Sequence, residues 1–300
     1  MRFLRAELHT HTTHSDGRFT PQELVDLAMA EGIEVLAITD HNTSTGVDRL
    51  VESCGDVFTS GDSSLLVVKG IEWTTFWGHI VVLGGNSEID WRTVNPRTAE
   101  SKIAEADRAG DVMIIAHPRR FSGPVCKGCY YEMPFGDCVG VAGVEINSSD
   151  PKKLERGAVG AYNLWVDLLR DGKKIAAVYG RDWHGKIKYS PMYTFIGVED
   201  FSVQAVLDGI REKRTFISSR TLQPVVKMKS GGVEFYYGDC VAGDDIEIAV
   251  DDDDLVLVGD GFECGANFCG KLDSGWYFIE SRDRDFVTSP FFVRFASDQT

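Results

Sequence analysis

"ELHTHTTHSDG", residues 7–17, sets His9, His11, His14 and Asp16 close together near the start of the chain. In an extended strand, residues i and i+2 point to the same side, so His9 and His11 are able to chelate one ion. Neutral imidazoles and carboxylates are the donor set of borderline divalent metals. One short run supplies too few donors to close such a site. The remaining ligands must come from elsewhere in the chain, and where they lie decides the fold.

Four more histidines are present, and each lies at the end of an apolar run. His41 follows "VLAITD" (35–40), His117 ends "VMIIAH" (112–117), and His184 follows "IAAVYG" (175–180), two residues after Asp182. Glu72 sits near the end of "LLVVKGIEW" (65–73), and His79 opens "HIVVLGG" (79–85). A lone histidine at a strand end is usually a hydrogen-bonded structural residue. Five strand ends that each supply His, Asp or Glu are another matter. In a barrel of parallel strands the carboxyl ends converge on one face, which would bring these residues together.

The intervening sequence supports such a barrel. Thr20-Pro21-Gln22-Glu23 is a capping box with proline at the first helical position, and Gly32 ends the helix it opens. Helical patterns recur over about 98–109, around Leu164, Leu168 and Leu169, and near 202–213. The runs "GVEINSS" (143–149), "MYTFIGV" (192–198) and "TFISS" (215–219) complete about seven βα units. Continuous apolar strands alternating with helices predict an α/β domain over residues 1–220, a distorted (βα)7 TIM-like barrel.

Beyond residue 220 the pattern changes. "DIEIAV", "LVLVGD", "GWYFIE" and "PFFVRF" are short strand-like runs separated by turn residues, which predicts a small all-β sandwich domain over residues 221–300. The net charge of −15 divides into −5 for residues 1–220 and −10 for the last 80. The C-terminal part has no histidine, so it is expected to supply no metal ligand, and a cut near Thr221 is expected to leave metal binding largely intact. The Asp251–Asp254 run reads as a solvated turn. So acidic a chain has no overall field for long nucleic acid. An anionic substrate must be attracted locally. No apolar run approaches the roughly 18 residues of a membrane span, and residues 1–5 lack the apolar core of a leader. Seven cysteines, an odd number, suit a reduced, cytoplasmic protein.

The motifs "HTHTTHSDG", "ITDHNT", "GIEW…GH", "AHP" and "GRDWH", in that order, resemble the polymerase and histidinol phosphatase (PHP) family over roughly residues 3–220. The spacing of "GIEWTTFWGHIVVLG" and the C-terminal β region are similar to its carbaryl-hydrolase-like branch. The resemblance implies a metal-dependent phosphoesterase with two or three divalent ions, of manganese, iron or zinc. Carried over by motif, His9, His11, Glu72 and Asp182 would hold one ion. Glu72, His79 and His117 would hold a second, and Asp16, His41 and His184 a third. Glu72, Asp182 and His184 are the catalytic candidates. His14 falls at a position the motif leaves free and reads as a rim residue. The family's last motif usually has serine where this chain has Arg181. Arg181 is therefore a candidate for substrate phosphate, unless it pairs with a nearby acid. Arg119 is a second such candidate and Arg120 a weaker one.

A bridged ion pair lowers the pKa of a bound water, so the expected reaction is hydrolysis of a small phosphate ester, a nucleotide or sugar phosphate, by a metal-bridging hydroxide. The alternatives are a non-phosphate ester or carbamate, or a short oligonucleotide. A non-catalytic binding protein is disfavoured by the intact ligand set. Residues 119–140 read as an insertion over the site, with Phe121, Tyr130, Tyr131 and Phe135 as possible pocket walls. Cys126, Cys129 and Cys138 are one short of a closed zinc site. Oligomeric state is not legible.

Overall fold

The computed structural model describes residues 1–121, 128–136, 139–148 and 156–294. At its centre lies one mixed sheet. The strand Arg2–Glu7 pairs in parallel with Val35–Ile38, which pairs in parallel with the long strand Ser63–Thr75. Ser63–Thr75 turns back through a two-residue link into Gly78–Leu83, which is antiparallel to Val112–Ile115. Val141–Asn147 and Ala176–Tyr179 then continue in parallel. On the other side of Arg2–Glu7 lie Tyr193–Val198 and Thr215–Ser218, both antiparallel to their neighbours.

This corrects the expectation of parallel βα units closing a barrel. Between Thr75 and Gly78 there is no room for a crossover helix, and so short a link permits only an antiparallel return. Nor is the sheet closed by a backbone ladder, because the strand path ends at Ala176–Tyr179. The seam is bridged by side chains. Tyr179 N–H donates to Thr194 Oγ1 at 2.8 Å, Thr215 Oγ1 donates to the Ala177 carbonyl at 2.9 Å, and Ala177 N–H donates to Ser289 Oγ at 2.9 Å. Buried backbone groups need partners, and these hydroxyls supply them.

Helices cover the sheet and plug it. Thr20 and Glu23 cap the helix Pro21–Ala30 reciprocally, and Leu24, Val25 and Ala28 bury its inner face with Leu36, Ile38 and Val67. The helix Val203–Arg211 follows the antiparallel strand Tyr193–Val198, so it begins at the amino ends of the parallel strands. There Val206, Leu207 and Ile210 join Leu4, Ala6, Val68, Ile114 and Val178 in the interior. The opposite end, where the parallel strands finish, is left to the polar residues.

The C-terminal part is β-rich and layered. Val226–Ser230, Val233–Glu234, Ile246–Val250 and Phe268–Gly270 form a separate four-stranded sheet. The facing layer, however, continues the main sheet, since Thr215–Ser218 pairs with Phe286–Thr288. Phe195 and Phe216 from the first part share a core with Met228, Ile248, Leu257, Ile279 and Phe291. Among the described residues no helix is long and apolar enough to cross a membrane.

Candidate metal centre

The loop 9–17 leaves the first strand and is fastened before it reaches solvent. Asp40 accepts from Thr12 N–H at 2.7 Å, Thr12 Oγ1 at 2.6 Å and Ser15 Oγ at 2.6 Å. Gly17 is required here, because a Cβ would lie 2.1 Å from the His11 carbonyl oxygen. Glu72 lies within the long strand with its carboxylate fully buried, and a parallel bridge sets it beside His41. His117 and Asp182 both adopt positive φ, 27° and 53°. Such backbone is uncommon outside glycine and marks strain held at a site by its surroundings.

The side chains converge in three groups, each with donor atoms within 4.8 Å of one another: His9, His11, Glu72 and Asp182; Glu72, His79 and His117; and His11, Asp16, His41 and His184. Glu72 belongs to two groups. So does His11, a sharing the sequence did not suggest. His9 Nε2 lies 3.3 Å from Glu72 Oε1 and 3.4 Å from Asp182 Oδ1. His117 Nε2 and His79 Nδ1 lie 3.3 and 3.0 Å from Glu72 Oε1. His184 Nε2 and His41 Nε2 lie 3.0 and 3.5 Å from Asp16 Oδ1. Among the described residues, none from the C-terminal part joins a group.

These residues fit divalent ions. Four ligands about 2.1 Å from a tetrahedral ion lie about 3.4 Å apart, close to the spacings above. Hydrogen bonding accounts for the contact of His79 Nδ1 with Glu72 Oε1 but leaves many of the buried donor atoms without a partner. His9 Nε2, both nitrogens of His11, His79 Nε2, Glu72 Oε2 and Asp182 Oδ1 are buried without a hydrogen-bond partner. Buried polar atoms are otherwise nearly always paired, so orphans on His9, His11, Glu72 and Asp182, whose donors form one group, imply a missing common partner. Burial alone would raise the Glu72 and Asp182 carboxyls, but His9 and its neighbours hold Glu72 well below the usual range, and His9, Arg120 and His11 do the same for Asp182. Burial pushes the His11 and His117 imidazoles down, toward the neutral form a metal ligand needs, whereas His9 and His41, despite burial, are held up by the carboxylates around them. A divalent ion would have to displace the proton from those two rings.

Several outer contacts aim the rings. His184 Nδ1 faces the Asp182 carbonyl at 2.9 Å, His117 Nδ1 faces the Cys129 carbonyl at 3.3 Å, and His41 Nδ1 faces Thr74 Oγ1 at 2.5 Å. His14 bonds Thr45 at 3.0 Å and joins no group.

The arginines are distributed differently from the sequence expectation. Arg181 is buried, not open to a phosphate. Its Nε lies 2.5 Å from Glu7 Oε2, its Nη1 lies 2.9 Å from Glu31 Oε2, and its guanidinium stacks 3.8 Å above Trp183. A carboxylate at 0% exposure needs a counter-charge, and Arg181 is spent on Glu7. Arg181→Ala should therefore destabilise the metal-free protein by about 3 kcal/mol or more, because it strands Glu7. Urea unfolding would measure this; unchanged stability with a raised KM would return Arg181 to substrate binding. Arg119 lies over the Tyr130 ring at 4.8 Å. Arg120, the weaker candidate, is the one that enters the site: its Nη1 contacts Asp182 Oδ2, and its Nη2 donates to Ser148 Oγ at 3.3 Å.

The insertion is likewise only partly as expected. Tyr131 is buried and packs on the half-buried Phe135, ring centroids 5.0 Å apart; both line a cavity with Ile103, Ile115, Pro134 and Val141, and none of the metal-group residues is in its wall. Cys126 and Cys138 lie outside the described residues. Sequence reasoning passed over Glu145, the lone carboxylate in the apolar run "GVEINSS". It is buried beside His9, and an acid inside a buried strand was the signal available.

The PHP domain model matches residues 7–83. The 5'-3' exoribonuclease of Haemophilus influenzae is 38% identical over 71 residues, 24% of each chain. The 3',5'-nucleoside bisphosphate phosphatase of Chromobacterium violaceum is 37% identical over 82 residues, 26% of this chain and 27% of that one. The chain thus aligns with only about a quarter of the length of either. An uncharacterized protein of Methanocaldococcus jannaschii is 33% identical over 138 residues, 41% of this chain and 71% of that one. A two-domain protein from Bacteroides vulgatus, described as containing a predicted PHP-like metal-dependent phosphoesterase, shares the fold with a TM-score of 0.52 at 14% identity, over 97% of this chain and 94% of that one. With the domain match lying on the first ligand strands and most of the archaeal relative's length covered, the chain belongs to the PHP family.

Proposed function

We propose that the protein is a metal-dependent phosphoesterase that hydrolyses a small phosphate ester, a nucleotide or a sugar phosphate. The observation that carries the reading is the set of buried, unpartnered donor atoms on His9, His11, Glu72 and Asp182, four residues whose donors converge in one group. His9, His11, Glu72 and Asp182 would hold one divalent ion, Glu72, His79 and His117 a second, and Asp16, His41 and His184, with His11, a third. Bound there, the ions would lower the pKa of water and neutralise charge on the phosphate.

The chain's own residues supply the rest. Glu72 and Asp182, held ionised, give this end of the sheet a negative charge that recruits cations. Arg120 stands half-buried against Asp182 with its guanidinium at the group, where it can take non-bridging phosphate oxygens in bidentate fashion. Burial of His9, His11 and Glu72 keeps bulk water from their donor atoms. The names of the relatives support phosphoester chemistry: one acts on a nucleoside bisphosphate and one on RNA from its 5' end. A short oligonucleotide is the second reading, favoured by the exoribonuclease. The chain's charge of −15 disfavours long nucleic acid.

The test is kinetic. Nucleoside monophosphates, bisphosphates, sugar phosphates and short oligonucleotides are compared with aryl esters and carbamates, with and without manganese. Metal-dependent turnover of at least one phosphate compound is expected. Efficient carbamate or carboxylic ester cleavage, with every phosphate compound inert, would overturn the reading.

A further inference from the structure

We propose that Glu145 is a positioning residue that locks His9 and His117 together in their ligand-ready states, and so couples two of the three metal groups. This rests on the metal reading above and deepens it. Glu145 Oε1 lies 2.7 Å from His9 Nδ1, while its Oε2 accepts from the backbone N–H of His117 at 2.7 Å. One carboxylate thus uses both oxygens, one on a ligand of each group. The first bond assigns the His9 proton to Nδ1 and leaves the Nε2 lone pair facing Glu72 and Asp182, where that atom has no other partner. The second pins His117 in its positive-φ conformation, from which its Nε2 reaches Glu72.

The surroundings are built to admit this carboxylate. A Cβ at position 180 would lie 2.1 Å from Glu145 Oε1 and 2.7 Å from His9 Cβ. Gly180 therefore leaves the space in which Glu145 meets His9. Glu145 itself is 1% exposed and lies on the strand Val141–Asn147, a rigid support. Partners behind metal-bound histidines fix ring tautomer and orientation, and their loss typically costs about 10–100-fold in metal affinity.

Glu145→Gln discriminates between positioning and mere packing. Glutamine keeps the volume, but its amide has one acceptor oxygen. It can satisfy His9 Nδ1–H or His117 N–H, not both; its NH2 then either faces the His117 N–H or donates to His9 Nδ1, which moves the ring proton to Nε2, the metal-facing nitrogen. Glu145→Asp keeps both acceptors on a shorter stem. The full-length chain, stripped of metal, is titrated with Co2+ and followed by visible absorption and calorimetry. E145Q is expected to bind Co2+ about 10–100-fold more weakly, with an altered visible spectrum. E145D is expected to show a smaller loss, and it carries the test alone if E145Q does not fold. A wild-type affinity and spectrum in E145Q, or in E145D if only that variant folds, overturns the inference, whatever happens to the melting temperature. A wild-type chain that takes up no Co2+ overturns the metal reading as well.

Discussion

Glu72→Ala is expected to lower hydrolysis by about 10³-fold or more, the largest loss of any single ligand change. The metal ions of such a site contribute several kcal/mol of charge stabilisation, and each 1.4 kcal/mol is tenfold in rate. Glu72 is singular in its contacts. Its two oxygens lie within 3.5 Å of nitrogens on His9, His11, His41, His79 and His117. Removing it takes a ligand from two groups at once and leaves five imidazoles facing a cavity without a carboxylate at its centre. Losses at the outer positions should be smaller. Asp16 is exposed on the loop 9–17, and water can replace it. Steady-state rates with excess manganese would show the difference. Full activity in Glu72→Ala would mean that no ion is shared through this residue.

Truncation after residue 220 should abolish the folded state. The acidic composition of the last 80 residues reads as a detachable domain, and the structure argues the reverse for stability. Trp165 packs on Phe278 with ring centroids 4.8 Å apart, Phe216 packs on Phe286 at 5.3 Å, and Phe3 and Phe216 both meet Tyr237. Uncovering these three rings, Phe3, Trp165 and Phe216, at about 2 kcal/mol each removes roughly 6 kcal/mol, comparable to the whole stability of about 5–15 kcal/mol of a typical domain. The seam bond from Ala177 to Ser289 and the buried bond from Tyr162 to Glu280 would be lost as well. Circular dichroism and thermal unfolding of residues 1–220 should show no cooperative transition. A soluble fragment that unfolds cooperatively and keeps its metals would show that the two parts are independent after all.

The ligand residues were legible because their chemistry imposes spacing. His-x-His on a strand and a polar residue at the end of each apolar run leave a pattern that survives without any knowledge of packing. The sheet was less legible. Strands Ser63–Thr75 and Gly78–Leu83 read as buried runs of the kind found in parallel sheets, and only the two residues between them, Phe76 and Trp77, betrayed the antiparallel return. Arg181 shows a different limit. Its neighbours in sequence are ligands, but its side chain turns to Glu7 and Glu31, acids more than 140 positions away. Glu145 was hidden for the same reason, since its two partners lie 136 and 28 residues distant. The local signal in "GVEINSS", an acid inside an apolar run, does not name the histidine that the carboxylate braces. The continuation of the main sheet from Thr215–Ser218 into Phe286–Thr288 is also a long-range pairing, invisible to a reading that followed composition.

The most direct measurement is the metal content of the full-length chain, wild type beside Glu72→Ala, by elemental analysis after reconstitution with manganese and removal of loosely held ions. Two or three ions per wild-type chain are expected, with a clear fall in Glu72→Ala. Fewer than one ion per wild-type chain, or equal content in the two proteins, would contradict a shared metal centre at the ends of these strands.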